Sequence, residues 1–372
     1  MFTFHKEFCN KFLPKPTRVN SKVLVTGANG HLGANIVRSL LKRKYEVNAF
    51  VRKNADLRGL TGLPVTYCYG DILDPEALTK AALGCESIIH SAAVYKVWAK
   101  TTEEVMRPAM EGTKNIFSAA IHAGIKRLVY TSSTYAIGTS KDPATILTPK
   151  DWSHHDFVPY GVAKTKSEQL AWELSAKNNI PMISLCPAGI YGRYDYKVTP
   201  SNRLPFDVMR GYGMTVKGVL SVIDARDAGE LHALALSRGK IGERYILSGG
   251  GYEMKEIGKL TGKLSGKKVL HAPFGRTINL ATAFMMEAVA KLTGWDPPFT
   301  IGLAKEYSHR YARFDNSKTI KDFNYTFYSL QETIHDTIKW FSFISKKVKL
   351  DKKVISQLPP EPDWLEATVV KD

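Results

Sequence analysis

Five residues with an apolar centre, Lys22-Val23-Leu24-Val25-Thr26, run directly into Gly27-Ala28-Asn29-Gly30-His31-Leu32-Gly33, and an amphipathic pattern continues from Leu32 to Leu41. No other stretch limits the fold so tightly. Of the evenly spaced glycines, the first permits a tight turn between strand and helix. The second lets a phosphate-bearing ligand approach the backbone, and the third lets the helix pack close to the sheet. The start of the helix offers free amides and partial positive charge to phosphates. Glycine turns are common, so the meaning lies in the order strand, glycines, helix. Gly27, Asn29, Gly30, His31, Leu32 and Gly33 are the candidate contacts.

The same rhythm continues down the chain. Val47–Val51, Val65–Tyr69, Ser87–Ser91, Leu128–Ser132 and Met182–Cys186 read as short buried strands. Asp74–Leu83, Glu103–Ala123 and Tyr160–Lys177 read as helices between them. This alternation predicts an α/β fold: a doubly wound parallel sheet covered on both faces, with ligands at the carboxyl ends of its strands. After about residue 190 the rhythm breaks. Tyr194–Met214, rich in Pro, Gly and Tyr, is expected as loop and Gly249-Gly250-Gly251 as punctuation, while Lys255–Leu264 and Thr277–Leu292 are expected as helices. The organisation implied is an arm (1–20), a dinucleotide-binding domain (21–190), a smaller, mostly helical substrate-binding region (191–345) returning some strands to the sheet, and a tail (346–372). That tail is basic, then proline-containing and extended from Leu358.

The end of the second strand separates one dinucleotide from another. An acidic residue there suits a free ribose hydroxyl. This chain has Arg52-Lys53, and two cations suit the added phosphate of NADP; NAD is the alternative if the pair is an ordinary surface one. Asp71 and Ile72 follow the third strand, at the adenine edge. Ala92 and Ala93 follow the fourth, where backbone must approach the cofactor closely. His90 reads as a packed histidine.

Tyr160 and Lys164 lie one helical turn apart on one face. A tyrosine is too weak an acid to act near neutrality, but a neighbouring ammonium and a nicotinium charge favour phenolate and lower its pKa. Lys164 can also bond the nicotinamide ribose. Ser133 leaves the fifth strand at its carboxyl edge, where its hydroxyl can hold a substrate oxygen beside Tyr160. Tyr95, Trp98, Thr134 and Tyr191 leave strands on the same side, with Tyr135, Tyr194 and Tyr196. An aromatic-rich lining suits a fairly apolar, ring-shaped or chain substrate; the plain alternative is core or lid packing. Thr277–Leu292 has the same two readings.

Taken together, the glycine turn, Ser133, Tyr160, Lys164, the run Pro187-Ala188-Gly189-Ile190-Tyr191-Gly192 and Asp224-Ala225-Arg226-Asp227 resemble the extended short-chain dehydrogenase/reductase family over roughly residues 20–345. Glu104-Val105-Met106-Arg107-Pro108-Ala109-Met110-Glu111-Gly112-Thr113 is similar to the dihydroflavonol-reductase-like branch, and Ala92–Ala99 and Lys240–Leu247 to the hopanoid-associated sugar epimerase proteins of that branch. The resemblance implies a Rossmann sheet and an NADP-dependent oxidoreductase interconverting a ketone or aldehyde and an alcohol. Ser133, Tyr160 and Lys164 would be catalytic, and Thr131, Pro187 and Ile190 would join the cofactor contacts. A nucleotide-sugar epimerase or dehydratase with tightly held cofactor, and a non-catalytic NADP sensor, are the alternatives. One residue departs from the pattern. Many members carry an asparagine where this chain has Ala109, and alanine cannot organise a proton-relay water through its side chain.

Composition excludes other classes. Cys9, Cys68, Cys85 and Cys186 show no paired spacing, so neither a disulfide framework nor a metal site is expected, and a cytoplasmic setting fits. Residues 1–20 lack the apolar run of a secretory signal. Ile278–Leu292 is too short and polar for a membrane span. The net charge of +17 is spread along the chain without a nucleic-acid-binding signature, so no nucleic-acid partner is expected. A solvated basic surface is the reading favoured, with peripheral contact to anionic lipid through Lys346-Lys347-Val348-Lys349 as the second. Oligomeric state is left open, a homodimer included.

Overall fold

The computed structural model describes residues 21–95, 101–271, 274–293, 297, 299–348, 350 and 354. Trp98, the arm, Cys9, Lys349 and the tail from residue 355 lie outside the described residues. The first half alternates β1 (Lys22–Thr26), α1 (His31–Lys42), β2 (Glu46–Val51), β3 (Thr66–Tyr69), α2 (Pro75–Ala82), β4 (Ser87–His90), α3 (Glu103–His122), β5 (Arg127–Thr131), α4 (Pro159–Asn178) and β6 (Met182–Pro187). The rest contributes β7 (Gly189–Tyr191), α5 (Arg203–Met209), β8 (Met214–Thr215), β9 (Val219–Asp224), α6 (Ala225–Leu234) and β10 (Arg244–Leu247). There follow β11 (Gly250–Glu253), α7 (Met254–Ser265), β12 (Leu270–His271), α8 (Arg276–Thr293), α9 (Ile301–Tyr307), α10 (Ser317–Phe323) and α11 (Leu330–Ile344).

Seven strands form one parallel sheet in the order β10-β6-β5-β4-β1-β2-β3. In β1 the strand period sends Val23 and Val25 to the layer of α1 and α6, and Leu24 to the layer of α2 and α3. All three are fully buried, each stabilising the fold by roughly 1.5–3 kcal/mol. Such two-faced burial is why the strand is apolar at successive positions. Strand order reverses between β1 and β4, which opens a crevice at their carboxyl ends.

Two expectations need correction. Tyr194–Met214 is not all loop: α5 occupies Arg203–Met209, because Pro205 sits in its first turn, where no intrahelical amide bond is lost. The triple glycine is partly strand, since Gly250 and Gly251 open β11 and pair antiparallel to β9.

A buried ion pair ties the layers together. Glu168 of α4 has no solvent exposure. It accepts from Arg244 Nε at 2.8 Å and Nη2 at 2.9 Å on β10, from Ser132 Oγ at 2.5 Å after β5, and from Ser184 Oγ at 2.6 Å on β6. Arg244 also donates to the carbonyls of Pro149 and Asp151, and its guanidinium lies 3.7 Å from the Trp152 ring centroid. Four segments distant in sequence therefore hold one helix, and that helix carries Tyr160 and Lys164.

Candidate active site

A cavity of about 1720 Å3 opens at the carboxyl edge of the sheet. This exceeds the upper end of single-ligand sites, roughly 1,000 Å3, and leaves room for a dinucleotide and a second molecule. Its inner end is made of backbone. Gly27 has φ +68°, and a Cβ there would lie 2.8 Å from Ala92 Cα; at Gly33 it would lie 2.1 Å from the Gly27 carbonyl oxygen. Gly30 caps α1 without a side-chain bond, leaving first-turn amides free for an anion. His31 is enclosed beside them, its Nε2 without a hydrogen-bond partner and its pKa lowered by burial. This glycine cradle fits a pyrophosphate.

Of the other sequence candidates, Asn29, Leu32, Arg52, Asp71, Ile72, Ala92, Ala93, Thr131, Pro187 and Ile190 all line the cavity. Lys53 does not. It is exposed and off the wall, because consecutive side chains diverge where β2 ends. The Arg52 carbonyl accepts from the Ala55 amide at 3.0 Å, while its side chain makes no hydrogen bond or ion pair among the described residues. Asp56, which no local sequence pattern marks, also reaches this wall, and Arg58 holds its carboxyl below the usual range by hydrogen bonds. His90 is packed, as expected: its Nδ1 lies 2.9 Å from Thr26 Oγ1, and burial brings its pKa down to about 3.

Ser133, Tyr160 and Lys164 meet at the middle of the cavity, with Thr134 and Tyr191. Pro159 opens α4 at its first position, so Tyr160 leaves the first turn and Lys164 the second. Lys164 is buried and donates to the Thr131 carbonyl at 2.7 Å. Burial lowers its pKa to about 8, against the opposing charge of Glu168. Its Nζ lies 5.9 Å from the Tyr160 ring centroid. The expectation that Lys164 pulls the Tyr160 phenol down is not met in the chain alone. Burial, then Tyr95, pushes that phenol well above its ordinary value, and a hydrogen bond with Ser133 only moderates the rise. Thus the phenol keeps its proton, the state required of a proton donor.

A family model described as the NAD dependent epimerase/dehydratase family matches residues 23–247. The chain belongs to that family. A Synechocystis sp. protein bearing the provisional name dihydroflavonol 4-reductase is 32% identical over 330 residues, spanning 85% of this chain and 93% of that one. Cinnamoyl-CoA reductase 1 of Petunia hybrida is 27% identical over 333 residues, covering 85% and 91%. Among solved structures, that of gox2253 superposes with a TM-score of 0.78 at 29% identity, covering 89% of this chain and all of the other.

In this NAD(P)-dependent family member, the outer end of the cavity is built differently. The Tyr95 ring lies against Tyr160 with centroids 4.6 Å apart, and Tyr135 meets it edge-on at 5.5 Å. Tyr307 of α9 donates to the Tyr135 hydroxyl at 2.6 Å. Beyond them the wall includes Phe274, Met286, Phe299, Leu303 and Phe314. Met286 lies in the Thr277–Leu292 helix, for which a lining role was one of the two readings; Phe274, Phe299, Leu303, Tyr307 and Phe314 come from segments far from Tyr160 in the chain, and no local pattern marks them. Tyr194 and Tyr196 also reach the cavity but pack on Trp340, at 5.3 and 4.9 Å between centroids. Behind Tyr160 a separate cavity of about 20 Å3, with Ala109, Tyr130 and Ser167 on its wall, has room for about one water. Among the described residues, no cluster of His, Cys, Asp or Glu is arranged to hold a metal ion.

Proposed function

We propose that this enzyme is an NADP-dependent reductase that interconverts a ketone or aldehyde and an alcohol on an apolar, ring-shaped substrate. The observation carrying the proposal is the meeting of Ser133, Tyr160 and Lys164 between a backbone-lined inner end and an aromatic outer end of one cavity. Gly27, Asn29, Gly30, His31, Leu32 and Gly33 would hold the pyrophosphate, Arg52 the ribose phosphate, Asp71 and Ile72 the adenine edge. Ala92, Ala93, Thr131, Pro187 and Ile190 would flank the remainder, and Lys164 would hold the nicotinamide ribose. When bound, the nicotinamide supplies or accepts the hydride.

The chain's own groups handle the oxygen. Ser133 Oγ holds the carbonyl oxygen, and Tyr160, kept protonated by burial, gives its proton as that oxygen becomes an alkoxide. The buried Lys164 ammonium stabilises the phenolate left behind. Tyr95, Thr134 and Tyr191 shape the place of the reacting carbon. A screen of ketones and aldehydes, followed by loss of NADPH absorbance, tests the reading. Turnover with NADPH supports it. A purified protein that releases NAD only on denaturation, and inverts a sugar carbon without net redox change, would overturn it in favour of an epimerase.

A further inference from the structure

Helix α8 has two unlike faces. Inward, Asn279 Nδ2 donates to Ser308 Oγ at 2.7 Å, Ala283 and Ala290 are buried, and Thr282 and Met286 line the cavity. Glu287, the helix's sole acidic residue, accepts from the Ile301 amide at 2.7 Å and so caps α9. Outward, Ile278, Ala281, Phe284, Met285, Val289 and Leu292 recur at helical spacing and are exposed. Phe284 and Met285 are each 64% exposed and Leu292 88%. The apolar surface continues to the mouth of the cavity through Phe274, Tyr212 and Met214, which are exposed and line it, and through Leu270, paired with Met214. A patch of this extent on an otherwise polar chain marks an interaction site.

Charge around the patch identifies the partner. Residues 254–293 contain seven Lys and Arg against two Glu, and one of those glutamates is turned inward. Lys267 and Lys268 precede β12, Arg276 opens α8 and Lys291 stands in its last turn. A second copy of this basic chain would set cation against cation. An anionic bilayer complements both features: headgroups meet the cations while the apolar face enters the acyl boundary. No helix among the described residues is long and apolar enough to cross a membrane, so the contact is in the plane of the surface.

We propose that α8, with its basic flanks, is an interfacial docking surface for an anionic bilayer, presenting the mouth of the cavity to lipid. The site differs from the basic tail that the sequence suggested for such contact. The inference stands apart from the reductase reading, because its test reads binding and not turnover. The full chain is sedimented at low salt with vesicles of equal parts phosphatidylglycerol and phosphatidylcholine, and with phosphatidylcholine alone. The wild type is expected to pellet with the anionic vesicles. Phe284→Ser/Met285→Ser should bind at least about tenfold more weakly, and Lys267→Gln/Lys268→Gln roughly fivefold or more. The thermal midpoint and NADPH binding of the serine variant should be unchanged, since neither side chain lines the cavity. A wild type that stays in the supernatant overturns the proposal. So does equal pelleting of the serine variant, which would make the attraction one of overall charge. A dimer in sedimentation velocity, dissolved by the serine substitutions and indifferent to vesicles, would assign the face to a second copy instead.

Discussion

At the inner end of the cavity the wall is backbone, small side chains and a helix start; at the outer end it is large side chains from α8, α9 and the segments beside them. The inner surface has almost no room for variation, because a Cβ at Gly33 would sit 2.1 Å from a carbonyl oxygen. The outer surface is a set of rings and aliphatic chains, each replaceable by another of similar volume. A shape common to every dinucleotide can be fixed in the backbone, whereas the substrate's shape must be met by side chains. Ser133, Tyr160 and Lys164 occupy the boundary between the two.

Substitutions at that boundary and on either side of it test this contrast. The largest effect is expected from Tyr160→Phe, which should lower kcat by about 10²–10⁴-fold while leaving NADPH affinity within about twofold. Retained turnover, measured with whichever carbonyl the screen identifies, would place the proton donor elsewhere. At the inner end, Gly33→Val should destabilise the fold by about 1–3 kcal/mol and abolish dinucleotide binding, read by denaturant melts and fluorescence titration. Normal NADPH binding by that variant would break the contrast. Arg52→Asp should change the NADP/NAD affinity ratio by roughly 10–100-fold, since it replaces a charge-assisted contact by a repulsion. Equal affinity of the wild type for both cofactors would remove Arg52 from its assigned role.

Lys164 gives a pH test. Its pKa, brought down to about 8, means the ammonium is present below that pH and lost above it. kcat/KM should therefore fall as pH rises through 8, by about tenfold per unit once past it. A profile flat to pH 10 would show that the ammonium is not needed. The smallest effect is expected at the outer end. Phe299→Ala should raise the carbonyl substrate's KM by about 10-fold or less, leave KM for NADPH unchanged and cost under about 1 kcal/mol, because Phe299 is only partly buried. A cost equal to that of Gly33→Val would erase the difference between the two ends.

The same contrast explains what could be read from the sequence. The inner end is local: β1, the glycines and α1 are contiguous, and Tyr160 and Lys164 share one helix, so periodicity and spacing revealed them. Arg52 lines the cavity and Lys53 does not, a difference that a sequence pair at the end of a strand does not reveal. α5 was missed because Pro205 and the surrounding glycines and tyrosines mimic a loop, although proline is harmless in a first turn. Phe274, Phe299, Tyr307 and Phe314 carry no local pattern, because only the folded chain brings them to the cavity that Tyr135 also lines. Thr277–Leu292 was legible as a helix, but its apolar character hid a division into one buried face and one exposed face.

The Glu168–Arg244 pair has a consequence for a chain still being synthesised. The two residues are 76 positions apart, a delay of roughly 4–15 s at ordinary elongation rates. Until Arg244 emerges from the ribosome, Glu168 has its hydroxyl partners and the Lys164 charge one turn away but lacks its two-pronged guanidinium partner, which leaves a buried carboxylate incompletely paired. The helix bearing Tyr160 and Lys164 is therefore expected to be fixed only once β10 has added to the edge of the sheet. A nascent chain halted before that strand is expected to have its glycine turn complete and its chemistry unassembled.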